Sequence, residues 1–190
     1  MFTNKNTIFL LIFFAMNLSI YSQKANDSSS YLFLNYGAGM EMNFGLGQNI
    51  SAGYHWEKHE VSYRYLHGQE WMFKNVLNFS RDRLPTRFIR SHSLMYGYMY
   101  KEGVTASVGI AYTSGSARGE KLQQYSTSWF GNEIFYYEEI RYTSIGLAYG
   151  FNYKLGDFHG IVISAFTAGE INPERFYNVS GINFQYRFAL

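Results

Sequence analysis

Ile182, Phe184, Tyr186, Phe188 and Leu190 put a large apolar side chain at every second position to the end of the chain. Gly181, Asn183, Gln185, Arg187 and Ala189 fill the alternate positions with small or polar ones. A period of two over this length is a β-strand with one apolar face and one wet face. The remainder of the chain can be read as the other strands needed to close a sheet around it.

At the other end, Lys5 precedes an apolar run from Ile8 to Ile20 that only Asn17 and Ser19 interrupt. A helix needs about 20 apolar residues to span a bilayer, so this run is too short, but it suits the core of a signal peptide. Residues 1–22 are therefore read as a cleaved signal peptide, with small Ser22 before the cut, and residues 23–190 as one domain. Formal charge is +2, and removing Lys5 leaves +1, which gives no reason to expect nucleic acid as a partner. With no cysteine, disulfide, thiolate and lipoprotein chemistry drop out.

Aromatic residues make up 20% of the chain, with 18 Tyr and 17 Phe against two prolines. Mean hydropathy is nonetheless slightly negative, as expected when apolar residues occupy only alternate positions. Period-two runs fall at Tyr31–Met42, Gln48–Trp56, Glu60–Gly68, Ile89–Tyr100, Val104–Thr113, Glu139–Tyr153, His159–Gly169 and Asn178–Leu190. The fifth alternates most strictly, and the sixth slips phase near Tyr142, where a bulge is expected. From the second run onward the connections alternate: 57–59, 101–103 and 154–158 are short, while 69–88 and 114–138 are long and 170–177 is intermediate. The expected fold class is all-β, an eight-stranded antiparallel up-and-down transmembrane barrel with short turns at one rim and longer loops at the other.

A soluble barrel would bury the apolar face, and a membrane barrel would turn it to lipid. Three features favour lipid. The polar face is rich in Gly, Ala, Ser and Thr, which fit a narrow interior. Aromatic residues gather near strand ends, at Trp56, Tyr100, Tyr153 and Phe188, as interfacial girdles do. Almost no charge falls in the middle of the proposed lipid face, where one costs about 2–4 kcal/mol.

On these residues the chain resembles the small eight-stranded outer-membrane barrels typified by the OmpA transmembrane domain and OmpX. Its glutamine-led mature start resembles exported proteins of Bacteroidota-type bacteria. Those barrels usually end on an aromatic residue, whereas here Phe188 is third from the end and Leu190 is last. The resemblance implies an outer-membrane protein of a Gram-negative bacterium, monomeric and without a cofactor. Its partners would be outer-membrane lipid or lipopolysaccharide and the assembly machinery, which would read Ile182, Phe184, Tyr186, Phe188 and Leu190.

Several clusters invite chemistry. His55, Glu57 and His59 have a metal-like spacing, but a zinc-protease pattern needs a helix and a glutamate directly after the first histidine, where Trp56 stands. His67 invites comparison with outer-membrane lipid A deacylases, which are barrels whose histidine is followed two residues on by serine; here that position is Gln69. His92 and Ser93 are neighbours on a strand and point to opposite faces. No catalytic or metal residue is therefore expected.

Glu41, Glu60, Arg64 and Arg187 are expected inside, forming a polar network that fills the lumen rather than a selectivity filter. Lys74, Arg81, Arg83 and Arg87 give the loop 69–88 a basic excess, beside Trp71, Phe73 and Phe79, suited to lipopolysaccharide phosphates. The expected function is structural or surface interaction through the loops 69–88 and 114–138. The alternatives are a narrow channel for small solutes or ions and, further off, a lipid A-modifying enzyme.

Overall fold

The computed structural model describes residues 30–41, 45–70, 88–124, 134–158, 160–174 and 176–189. They form eight strands: β1 (Ser30–Glu41), β2 (Gly45–Trp56), β3 (His59–Glu70), β4 (Phe88–Lys101), β5 (Val104–Gln124), β6 (Ile134–Phe158), β7 (Ile161–Ile171) and β8 (Phe176–Ala189). Each pairs antiparallel with its sequence neighbours, and β1 pairs β8, from Tyr31 against Ala189 to Glu41 against Val179, so the sheet closes into a barrel. The expected signal peptide lies outside the described residues.

Outward side chains are apolar and uncovered. Leu94, Ile110 and Ile145 are each 68% exposed, while the inward neighbours Ser93 and Ala111 are 2% and 0% exposed. A soluble barrel could not leave such a belt in water, so the wall faces lipid and the chain is a transmembrane β-barrel.

The short-turn rim comes from 57–58, 102–103 and, between β6 and β7, Gly160. Glycine at positive φ permits two of these turns, at Gly103 (81°) and Gly160 (80°), and Glu57 adopts 53° in the third. Two boundaries differ from the sequence reading. Residues 154–158 are not a turn but the end of β6, whose register shifts between Lys154 and Gly156. Gly156 reads as a turn residue because a bulge uses the same glycine.

Residues 114–138 are likewise not a loop throughout, since β5 runs to Gln124 and β6 begins at Ile134. β4 accompanies β5 only to Gly115, and β7 meets β6 only from Leu147, so the outer part is a two-stranded projection. Such a ribbon has water on both faces and lacks the apolar alternation that marks a strand in sequence. The expected irregularity near Tyr142 lies instead across the ladder, between Arg118 and Lys121 of β5; β6 itself pairs regularly through Tyr142.

The interior is less polar than its glycines and serines suggest. Leu66, Ile89, Phe166, Ala168, Tyr177 and Val179 form a buried apolar cluster inside the barrel. Gly68 makes room for it, because a Cβ there would collide with the Tyr177 ring. β7 alternates weakly in sequence for this reason: its inner face carries Val162, Phe166 and Ala168, and its outer face carries Ala165 and Thr167.

Val108 is 50% exposed on the lipid side. Val108→Arg should destabilise the folded barrel by about 2–4 kcal/mol in urea unfolding from lipid vesicles. A lipid-soluble thiol reagent should label a cysteine at 108 and spare one at 107; the reverse would show the wall inverted.

Candidate functional site

Arg64 stands on the inner face of β3 and is 4% exposed. Its Nε–H donates to the Ser93 hydroxyl at 3.3 Å on β4. Nη1 and Nη2 cross the lumen to the backbone carbonyls of Tyr149 on β6, at 2.7 Å, and Gly169 on β7, at 3.1 Å. One side chain thus ties a wall of the barrel to the wall opposite. The guanidinium fork, with its five donors, suits this better than an ammonium.

Its negative charge comes from Glu170 on β7, which is 0% exposed and is the acid nearest in effect to Arg64. Glu170 accepts hydrogen bonds from Ser91 at 2.5 Å, from Thr113 at 2.6 and 2.7 Å, and from Asn172 at 2.7 Å. A buried carboxylate with this many donors is satisfied where it sits. The sequence reading missed Glu170 by placing it in the connection 170–177. Continuing the inward positions Val162, Ser164, Phe166 and Ala168 by one more step would have found it.

Among the four residues expected in the lumen network, Arg64 is joined by none of the other three through its own hydrogen bonds. Glu41 is buried near the long-loop end, beside Gly45. Glu60 and Arg187 line a cavity of about 250 Å³ towards the short-turn rim, together with His55, Glu102, Lys154 and Asp157. There Arg187 donates to Gln185 at 2.9 Å and lies over the Tyr31 ring at 4.6 Å, and Lys154 meets Asp157 at 3.6 Å. The inner charges are therefore spread over three levels. The cavity that Arg64 itself lines is about 20 Å³, room for one water.

The other singled-out residues separate. His55 points inward, stacks on Tyr31 at 4.6 Å, and its Nε2–H donates to the Glu57 carbonyl at 2.9 Å. His59 points outward, pairs with the Tyr96 hydroxyl at 2.6 Å and stacks on Trp56. The two rings lie on opposite sides of the wall. Among the described residues no group of three or more potential ligands could hold a metal.

His67 is also on the outer face, with Nδ1–H donating to the Ile89 carbonyl at 3.1 Å. His92 faces lipid and shares a 2.5 Å hydrogen bond with the Tyr63 hydroxyl, while Ser93 turns inward to Arg64. On β8, Ile182 and Phe184 are exposed on the outer wall, and Tyr186 and Phe188 pack edge to face at 4.7 Å. Leu190 lies outside the described residues, as do Lys74, Arg81, Arg83 and Arg87.

No protein-family model matches the chain, and neither does any curated protein. Solved structures do. The outer-membrane protein Ail of Yersinia pestis, in a phospholipid bilayer nanodisc, is 14% identical with a TM-score of 0.53, over 84% of this chain and 99% of that one. The N-terminal β-barrel domain of Pseudomonas aeruginosa OprF is 13% identical over 85% and 98%, with a TM-score of 0.42. Neisserial surface protein A is 12% identical over 85% and 98%, with a TM-score of 0.44. At these identities the likeness is one of fold: the chain has the architecture of a small eight-stranded outer-membrane barrel.

Glu170→Ala would leave Ser91, Thr113 and Asn172 without their acceptor and Arg64 without its negative neighbour. At about 1–3 kcal/mol for each buried group left unpaired, the loss in urea unfolding should reach about 3 kcal/mol or more. A change under about 1 kcal/mol would mean that the cluster contributes little to stability.

Proposed function

We propose that the protein is an outer-membrane barrel without catalytic activity, acting as a structural element and surface contact through what it presents beyond the long-loop rim. The observation that carries this reading is the filling of the lumen at Arg64, where a guanidinium bonded to both walls lines a cavity of about 20 Å³. A lumen so filled among the described residues disfavours the passage of solute and points to an interaction surface outside it. The projecting β5–β6 ribbon is the longest candidate, since these strands have 21 and 25 residues against 11–14 in the others.

The same reading includes export with cleavage after Ser22, insertion by the assembly machinery through the β8 strand, and contact of Lys74, Arg81, Arg83 and Arg87 with lipopolysaccharide phosphates. Charge on that loop supports the last of these, because anionic headgroups attract basic segments at about 1 kcal/mol per residue. A hydrolase is disfavoured by His67, whose Nδ1 is held by a backbone carbonyl and whose sequence neighbour two residues on is Gln69.

Purified protein in a planar bilayer should conduct little or no current. Arg64→Gln should lower the temperature of the heat-modifiable gel shift while leaving conductance near background, because it breaks the bonds across the lumen and strands Glu170. Steady open-channel conductance from the unaltered protein, with an ion preference that changes on altering Glu60 or Arg64, would establish the channel instead.

A further inference from the structure

Along the outer wall, the side chains change character between two adjacent rows. Ile50, Tyr65, His92, Tyr112 and Ile145 are successive cross-strand partners on β2 to β6, all facing outward. Two residues nearer the long-loop rim, the next outward row is Gln48, His67, Arg90, Ser114 and Thr143. Every member of this second row can form hydrogen bonds. On the other side of the barrel the outer face is also polar, with Thr167 donating to Asn178 at 2.8 Å and Ser180 donating to Thr167 at 3.0 Å. These rows mark the depth at which hydrocarbon gives way to headgroups.

Arg90 is the one full charge in its row, and it is exposed. Its guanidinium lies over the Phe88 ring at 5.3 Å, and among the described residues no carboxylate or carbonyl accepts from it. Glu170, the carboxylate of β7, is on the inner side of the wall and fully engaged. A cation at the edge of the hydrocarbon, with no carboxylate against it among the described residues, draws a counter-ion from the membrane, and the fork of an arginine matches a phosphate bidentately.

Beside it, His67 is its cross-strand partner. The imidazole is fixed by its bond to the Ile89 carbonyl and lies nearly parallel to the Tyr65 ring, 5° apart, which leaves Nε2 as its remaining polar atom. From His92, two residues along β4, an apolar groove of about 600 Å³ runs along the lipid face between Tyr63, Leu94, Val108, Ile110 and Ile145. The small residues Gly109 and Ala111 also line it. A cationic site at the headgroup boundary, one outward row from an acyl-sized groove in the hydrocarbon zone, has the layout of a lipid site.

We propose that Arg90, with His67 beside it, holds the phosphate of an outer-leaflet lipid whose acyl chain lies in the groove below. This rests on the outer-membrane reading but not on the basic loop, because the site is built from the barrel wall. Arg90 provides the charge and the fork, His67 and Ser114 flank it, and the belt from Tyr63 to Ile110 carries the chain.

The test is native mass spectrometry of the full protein purified from the outer membrane and exposed to bisphosphorylated lipid A or to the same lipid after dephosphorylation. The protein should retain the phosphorylated form at least about ten-fold more, and Arg90→Gln should bring the ratio to within about two-fold. Arg90→Lys should keep part of the preference, and the heat-modifiable gel shift should show each variant folded. Equal retention by wild type and Arg90→Gln would overturn the site, as would a wild type indifferent to the phosphate. Release of the lipid by millimolar inorganic phosphate would make this a site for the free ion and overturn the lipid assignment. Loss of preference on neutralising Lys74, Arg81, Arg83 and Arg87, but not Arg90, would move the phosphate to the loop. Recovery of the protein outside the outer-membrane fraction would defeat the reading beneath the proposal, separately from the site.

Discussion

Closing eight strands leaves an interior about as wide as the side chains that must fill it, and the rest of this structure depends on that narrowness. Water cannot solvate a charge placed at mid-lumen, so Arg64 has to find its partners in the protein. It does so by crossing to the carbonyls of Tyr149 and Gly169 on the far strands. Glu170 has to do the same and collects Ser91 from β4, Thr113 from β5 and Asn172 from the connection after β7. The polar plug and the neighbouring apolar cluster around Leu66, Phe166 and Tyr177 are two answers to one packing requirement.

Filling the lumen also organises the glycines. Large inward groups on one strand stand over glycine on the strand opposite or adjacent, as Tyr177 does over Gly68 and Glu60 over Gly97. The small residues of the inner face are therefore not a lining for passing solute but the spaces into which other side chains fit. Towards the short-turn rim the barrel is less filled, and Glu60, Glu102, Lys154, Asp157 and Arg187 surround the 250 Å³ cavity there.

The outer wall follows different physics. Packing does not decide residue choice there; depth in the bilayer does. Apolar side chains hold the middle of β1 to β8, rings gather at Trp56, His59, Tyr96 and Tyr98 near the short-turn rim, and hydrogen-bonding groups appear above the groove lined by Leu94 and Ile110. Arg90 is informative because it obeys neither the packing rule of the lumen nor the apolar rule of the belt. Its place is set by a boundary outside the protein.

Alternation in the sequence by itself determined the number of strands and their antiparallel order, because a period of two is a local property of the chain; the small residues of the polar face, the rings near strand ends and the uncharged middle of the apolar face then turned that apolar face to lipid. Together they sufficed to put Arg64 inside and Val108 outside. Alternation did not suffice where a strand leaves the barrel or where its faces are not chemically opposed. The outer halves of β5 and β6 read as loop because both faces of that ribbon meet water, and β7 read poorly because Phe166 and Val162 face inward. The pairing of Arg64 with the field of Glu170, 106 positions apart in numbering, follows from barrel closure and from no local pattern. Which polar groups meet across the lumen was decided by tertiary structure alone, because only the shear and closure of the sheet bring β3, β4, β5 and β7 to the same level.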